Sequence, residues 1–329
     1  MNSYKKIRWG IIGPGKIAHK FAEGLSCVAD AELYAVASRS YERAQKFAQQ
    51  YHVPQVYDSY ESLVCDEHVD VVYVATTNNM HYEQVKLCLE QGKACLCEKP
   101  FTLNAEQLKE LIAHARRKNV FLMEAMWTRF LPSIISVDQR IQNNEIGDIV
   151  RLESNFGFSA EYDPNIRLYN PDLGGGALLD IGIYPVFFAL HFLGVPNQIE
   201  SNAVFTESGV DCENNMVFYY DNSVKAELAS SFMQDLPCTA TIYGTKGTIT
   251  FEQMWHCPTK IVKTVYGHEY DITPLYKGNG YNYEIEEVCN CLKSGKKESL
   301  LMLLSESLQR QKILDKIQLL WDLKNKKYM

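Results

Sequence analysis

Glu98 and Lys99 stand at the end of a short apolar stretch, Ala94-Cys95-Leu96-Cys97, and Pro100 stops it. A lysine at the end of a buried strand is costly unless it is paired or used. The pair also fits a plain polar exit into a surface loop. Nearer the amino terminus, Gly13-Pro14-Gly15-Lys16-Ile17-Ala18 reads G-x-G-x-x-A. Gly13 permits a tight turn, Gly15 lets the backbone approach a phosphate, and Ala18 lets a helix pack close to its strand. The helix that opens at Lys16 and Ile17 offers free N–H groups and positive potential to a pyrophosphate. The motif follows the apolar run 7–13 and opens a helix with Ile17, Phe21 and Leu25 on one side, so it is expected to hold a dinucleotide. In the second half, Asp180 and Tyr184 lie on one helix face within the apolar run 177–193. An aspartate in such a helix needs a partner, and a hydrogen-bonded anchor is the plain structural reading.

The tip of the second strand, Ala37-Ser38-Arg39-Ser40, bears on which dinucleotide fits. A site for NAD usually has an acidic residue there for the ribose 2′-hydroxyl. Here Arg39 stands in its place, with Arg43 one turn later. Arg39 can stack on adenine or fork onto a 2′-phosphate, assisted by Ser38, Ser40 and Arg43. The expected cofactor is therefore NADP, with NAD possible. Solvated surface arginines are the alternative.

These residues need elements to place them. From residue 7 to 125, apolar strands alternate with amphipathic helices, and Asn104 is placed to cap the helix that follows it. Such βαβ alternation implies a Rossmann-type doubly wound parallel sheet, an α/β domain over residues 1–124. From residue 148 the pattern changes to strands of period two, as in 223–232, where Val224, Ala226, Leu228, Ser230 and Phe232 alternate with polar residues. Gly244-Thr245-Lys246-Gly247 is expected to be a hairpin turn. The region 125–329 is thus read as an α+β domain with an open, mainly antiparallel sheet that binds substrate. Phe156, Phe158, Arg167 and Tyr169 could line its pocket, within loop-rich segments 155–172 and 255–282.

A chain of 329 residues exceeds the usual single core and suggests two domains. With 46% hydrophobic and 22% charged residues it is ordinary for a globular protein. A net charge of -7 argues against a nucleic-acid partner, which needs a basic face. We expect no membrane partner, since no apolar stretch has the length of a bilayer span. The amino-terminal apolar run is broken by glycines and lacks a cleavage site, so a cytoplasmic protein is expected. The ten cysteines sit mostly in apolar segments and are read as thiols. No C-x-x-C pair points to a metal.

The stretches GIIGPGKIA at 10–18, TTNNMH at 76–81, EKP at 98–100 and GGGALLDIGIYPV at 174–186 resemble the glucose–fructose oxidoreductase / inositol dehydrogenase (Gfo/Idh/MocA) superfamily. ASRSYERAQKFA, FLMEAMWTRFLP, GTKG and LSES are most similar to its dimeric dihydrodiol dehydrogenases, which also act as NADP-dependent D-xylose 1-dehydrogenases. The matches run from about residue 7 to residue 310. The resemblance implies an oxidoreductase that moves a hydride between nicotinamide and a cyclic polyol or sugar. It implies that Lys99 points into the active site and that the bond before Pro100 is cis. Thr76, Asn78, His81 and Glu98 are placed on the cofactor side, although Thr77 stands where the superfamily usually has proline. Trp127, Arg129 and Phe156 are placed beside the substrate. Asp180 is placed in the active site, and Tyr184 stands where a histidine is the commonest acid/base. A tyrosine has an intrinsic pKa of about 10, which a neighbouring Lys99 ammonium lowers. Tyr184 would exchange the hydroxyl proton, while Asp180 binds substrate hydroxyls or orients Lys99. The family also implies a homodimer through the carboxy-terminal sheet. Other enzymes of the superfamily, acting on inositols or anhydro-sugars, and a non-catalytic NAD(P)-binding regulator are the alternatives.

Overall fold

The computed structural model describes residues 6–327, with side-chain burial through Leu323. Two compact units form. The first takes the described chain up to Phe130 together with Tyr276–Leu308, and the second takes Leu131–Leu275 and the chain from Gln309 onward. Residues 276–308, which the sequence division assigns to the second domain, therefore pack with the first unit.

In the first unit, strands β1 (Ile7–Ile12), β2 (Ala31–Ala37), β3 (Gln55–Tyr57), β4 (Val71–Val74), β5 (Ala94–Glu98) and β6 (Leu122–Ala125) form one sheet in the order β3-β2-β1-β4-β5-β6. Every pair in it is parallel. The order turns between β1 and β4, and in such sheets ligands bind outside the carboxyl ends at that switch point. The crossovers carry helices α1 (Lys16–Ser26), α2 (Tyr41–Tyr51), α3 (Tyr60–Cys65), α4 (His81–Glu90) and α5 (Ala105–Lys118). The central strands are apolar runs because helices cover both faces. Val72, Val74, Cys95, Cys97, Leu108, Leu111 and Leu122 lie together in one such core layer. Asn104 caps α5 as expected, its side chain accepting from the Gln107 amide.

In the second unit, α6 (Pro132–Gln142) leads to β7 (Ile149–Gly157). After a loop and a π-helical turn, Leu178–Gly182, comes α7 (Ile183–Leu193). Strands β8 (Gln198–Phe205), β9 (Asp211–Tyr219), β10 (Lys225–Ser231), β11 (Ala240–Gly244), β12 (Gly247–Phe251), β13 (Ile261–Val265) and β14 (His268–Asp271) follow. The eight-stranded sheet has the order β14-β13-β12-β11-β7-β10-β9-β8. β7 and β10 pair in parallel, whereas every other pair is antiparallel. The Thr245-Lys246 turn joins β11 to β12, as the glycines around it require. Ala226, Leu228 and Ser230 of β10 are buried, and the opposite face carries a charged ladder. There Arg151 pairs with Glu153 and Glu227, Lys225 with Glu227, and the Tyr243 hydroxyl donates to Glu153.

Helix α8 (Tyr281–Lys293) belongs to the first unit, and α9 (Leu304–Lys327) begins in the first unit and continues in the second. Gly24 of α1 meets α8 where a Cβ would lie 2.8 Å from the Tyr281 Cβ, so this close approach requires glycine. One expectation is corrected. Pro171–Leu193 is long and apolar enough by composition to cross a membrane, with a mean hydropathy of 1.7. Its window is 78% buried inside the protein, and the left-handed Gly174 and Gly176 interrupt it, as suits a core helix with an irregular lead-in.

Candidate active site

The functional groups of the first unit collect where β1, β2, β4 and β5 end. Gly13 turns the chain at φ +85°, and its amide donates to the Ala37 carbonyl at 3.1 Å. A Cβ there would lie 2.9 Å from both the Ala75 carbonyl oxygen and Thr76 Cγ2, so only glycine fits. Gly15 begins α1 with no side-chain cap among the described residues, and a Cβ on it would meet no atom within 4 Å. α2 differs, because Ser40 closes it by accepting from the Arg43 amide. The first N–H groups of α1, behind Lys16 and Ile17, are therefore left for an anion. Beside Gly13, the Thr76 hydroxyl oxygen is buried with no hydrogen-bond partner among the described residues. An open glycine cradle, an uncapped helix and an orphaned hydroxyl together fit a dinucleotide.

At the tip of β2, Ser38 is buried and its oxygen accepts the Ser40 amide at 3.2 Å. Both serines thus shape the turn, while Arg39 and Arg43 are exposed and reach outward. Beyond β4, Asn78 is buried. His81 is fully buried, with Nδ1 2.7 Å from the Pro100 carbonyl and Nε2 3.2 Å from the Thr76 carbonyl. It ties the end of β4 to the turn after β5.

That turn contains a cis bond between Lys99 and Pro100, as the resemblance implied. Glu98 is buried; its carboxylate accepts the Tyr73 hydroxyl and, at 3.2 Å, the Lys99 amide. Burial first, and then the Glu98 charge, hold the Tyr73 phenol well above its usual range. Lys99 is half-buried. α8 adds a group that sequence reasoning missed. Glu284 is fully buried, and both its oxygens lack a hydrogen-bond partner among the described residues. Burial, and secondarily the charge of Glu98, push its carboxyl well above the usual range. Trp127 is buried and stacks on Tyr281 of α8, with centroids 4.5 Å apart and planes at 6°. Arg129 is half-buried in the same segment.

The second unit assembles a separate set. Asp180, in the π-helical turn, meets Arg167 through both guanidinium nitrogens, at 2.8 and 3.0 Å. Tyr184, in the first turn of α7, is buried against Phe156 of β7 at 5.7 Å and against His256 at 5.1 Å between ring centroids. His256 in turn stacks on Phe156 at 4.1 Å. The structure therefore pairs Arg167 with Asp180 and, four residues further along the helix, gathers Phe156 and His256 on Tyr184. No sequence signal marked His256, because it lies in an irregular turn after β12. Tyr169 serves elsewhere: its hydroxyl donates to the Ala160 carbonyl at 3.0 Å, and its ring packs among Ile181, Cys212 and Phe232.

Comparison with known proteins shows the family of the chain. Residues 7–126 match the model of the GFO_IDH_MocA oxidoreductase family with NAD-binding Rossmann fold, and residues 134–250 match the GFO/IDH/MocA C-terminal domain. The chain is 39% identical to a trans-1,2-dihydrobenzene-1,2-diol dehydrogenase of Xenopus tropicalis over 318 residues, covering 94% of this chain and 96% of that protein. It is 36% identical to the Homo sapiens protein of that name, with the same coverage. Among solved structures, a 3-ketoreductase from Actinomadura kijaniata, in complex with NADP and TDP-benzene, superposes with a TM-score of 0.85 at 26% identity, covering 95% of this chain and 97% of that one.

Proposed function

The chain belongs to the Gfo/Idh/MocA oxidoreductase family, whose NAD-binding Rossmann unit and C-terminal domain it carries in order, and on that premise we propose that it is an NADP-dependent dehydrogenase of cyclic polyols. The substrate is a ring bearing adjacent hydroxyls: a trans-dihydrodiol, or an aldopyranose such as D-xylose oxidised at its anomeric hydroxyl. The names of relatives spanning nearly the whole chain support the first, and the second is kept because both rings carry adjacent hydroxyls. NADP is favoured over NAD because Arg39 and Arg43 are exposed at the tip of β2, where no carboxylate stands.

The observation that carries the reading is Tyr184, a phenol set by Phe156 and His256 four residues along the helix from Asp180, which Arg167 pairs. The backbone N–H groups that open α1 would hold the pyrophosphate, and Arg39 and Arg43 would hold the 2′-phosphate. When bound, the nicotinamide supplies the acceptor for the hydride that leaves the carbinol carbon. Tyr184 takes the hydroxyl proton as that bond to hydrogen breaks, and returns it in the reverse direction. Lys99 donates to a substrate oxygen. Asp180, oriented by the two hydrogen bonds from Arg167, accepts hydrogen bonds from the neighbouring hydroxyls. Trp127, Arg129 and Phe156 bound the substrate. We extend the proposal to a homodimer through the face of the second sheet that carries the Arg151–Glu153–Glu227 ladder.

The test is NADPH formation by the purified protein with D-xylose and with a trans-dihydrodiol, each repeated with NAD. Turnover of either substrate with preference for NADP is expected. Binding of NADP with turnover of neither would overturn the substrate assignment.

A further inference from the structure

We infer that Asp211, Asn214 and Ser230 form a buried clamp that positions Asp180 and Tyr184 by holding the π-helical turn from which both project. The inference rests on the reading of Tyr184 as the acid/base group. Asp211 opens β9 and is 5% exposed. Its Oδ2 accepts the Leu178 amide at 2.7 Å and the Asn214 side-chain amide at 2.8 Å. Asn214 Oδ1 accepts the Ser230 hydroxyl of β10 at 2.9 Å. The string thus runs from two strands of the sheet to the first amide of the π-helical turn.

The glycines of the run are shaped to this clamp. Gly176 sits at φ +118°, and a Cβ on it would fall on Asp211 Oδ1. At the other end of the turn, a Cβ on Gly182 would lie 2.7 Å from Ser230 Oγ. Side chains at either position would push the turn off the clamp. The opening amides of a helix have no partner within it, and an anion there is favoured. A serine or asparagine on the chain itself is the usual cap. Here a carboxylate from a distant strand does the work, despite burial that pushes its carboxyl up to about 6. Asp180 lies inside the turn and Tyr184 in the first turn of α7, so their directions follow from where the turn is held. π-helical turns recur at functional sites, and misplacement of a reacting group by about 1 Å can cost roughly a hundredfold in rate.

Asp211→Asn and Ser230→Ala test the clamp, with NADP affinity as the control, since the glycine cradle belongs to the other unit. For Asp211→Asn, kcat is expected to fall about 10–100-fold with KM for the polyol within about threefold. For Ser230→Ala, which keeps the carboxylate and serves if the first variant does not fold, about 3–10-fold is expected. In both, amide hydrogen exchange should quicken in the segment 176–186. Wild-type kcat, or a loss of kcat without faster exchange in that segment, would overturn the clamp. Should the wild type turn over no polyol, the functional reading fails while the exchange measurement still decides the clamp. Quickening confined to 176–186 supports it, and unchanged exchange overturns it.

Discussion

Arg167 sets both ends of its guanidinium fork on the carboxylate of Asp180, at 2.8 and 3.0 Å. An aspartate in an apolar helix needs such a partner, and a two-point contact fixes the plane of the carboxylate as well as its charge. The Arg167 side chain is 41% exposed and that of Asp180 only 10%, so the pair spans the edge of the buried region. Arg167→Met is expected to destabilise the protein by about 1–2 kcal/mol, less than a fully buried pair would because water screens the guanidinium. It should raise KM for the polyol more than it lowers kcat, because Asp180 loses the two-point contact that orients it for the substrate hydroxyls. Denaturant unfolding and steady-state kinetics check this, and an unchanged KM counts against it.

Tyr184→Phe removes the hydroxyl and keeps the ring that packs on Phe156 and His256. The fold and NADP affinity should therefore hold. kcat is expected to fall by about 10²–10⁴-fold, the usual worth of a positioned acid/base. Steady-state rates beside cofactor fluorescence titration test it, and residual activity within tenfold of wild type would move the proton transfer to another group.

Replacing both Arg39 and Arg43 by alanine strips the exposed guanidiniums from the tip of β2. Affinity for NADP should drop by about 10–100-fold while that for NAD changes by less than about threefold, since a charge-assisted bond to phosphate is worth roughly 1.5–3 kcal/mol. The ratio of kcat/KM for the two cofactors reads the outcome. Equal losses for both would place the arginines on the shared part of the nucleotide.

Glu284 gives a pH signature. Its carboxyl is raised well above the usual carboxylate range, first by burial and then by Glu98. A raised folded-state pKa means the folded protein keeps a proton that the unfolded chain releases. Stability is then full below about pH 4 and declines as pH rises towards the folded value. Glu284→Gln mimics the protonated form, so it should match wild type near pH 4 and exceed it at pH 8. Chemical denaturation at the two pH values decides, and parallel pH dependence of the two proteins would mean Glu284 is not the titrating group.

The sequence made the first unit largely legible because apolar strands and amphipathic helices alternate with short connections, and the Gly13–Ala18 motif fixes where the first pair turns. The return of α8 to this unit was not legible. Nothing local in Tyr281–Lys293 says which core it joins, and its fit depends on the missing Cβ of Gly24 far away in the chain. In the second unit the period-two strands near 224–232 and the turn at 245–246 could be read, but β14 could not, since all its residues are exposed and carry no alternation. At the candidate site, Lys99 and Tyr184 were singled out through motifs. The Arg167–Asp180 pair, the Asp211 clamp and His256 were not, because each joins residues distant in the chain whose types, taken singly, are ordinary loop and strand residues.

The interrupted course of the first unit also bears on how the chain is made. A nascent chain ending near residue 275 has every strand of the parallel sheet but lacks Tyr281 to cover Trp127 and lacks α8 against Gly24. At roughly 5–20 residues per second, synthesis of the intervening second unit takes on the order of ten seconds or more. Over that interval the earliest-made unit waits, open on one flank, for its last helix. The flank that carries Trp127 and Gly24 is where a co-translational chaperone would have most to hold.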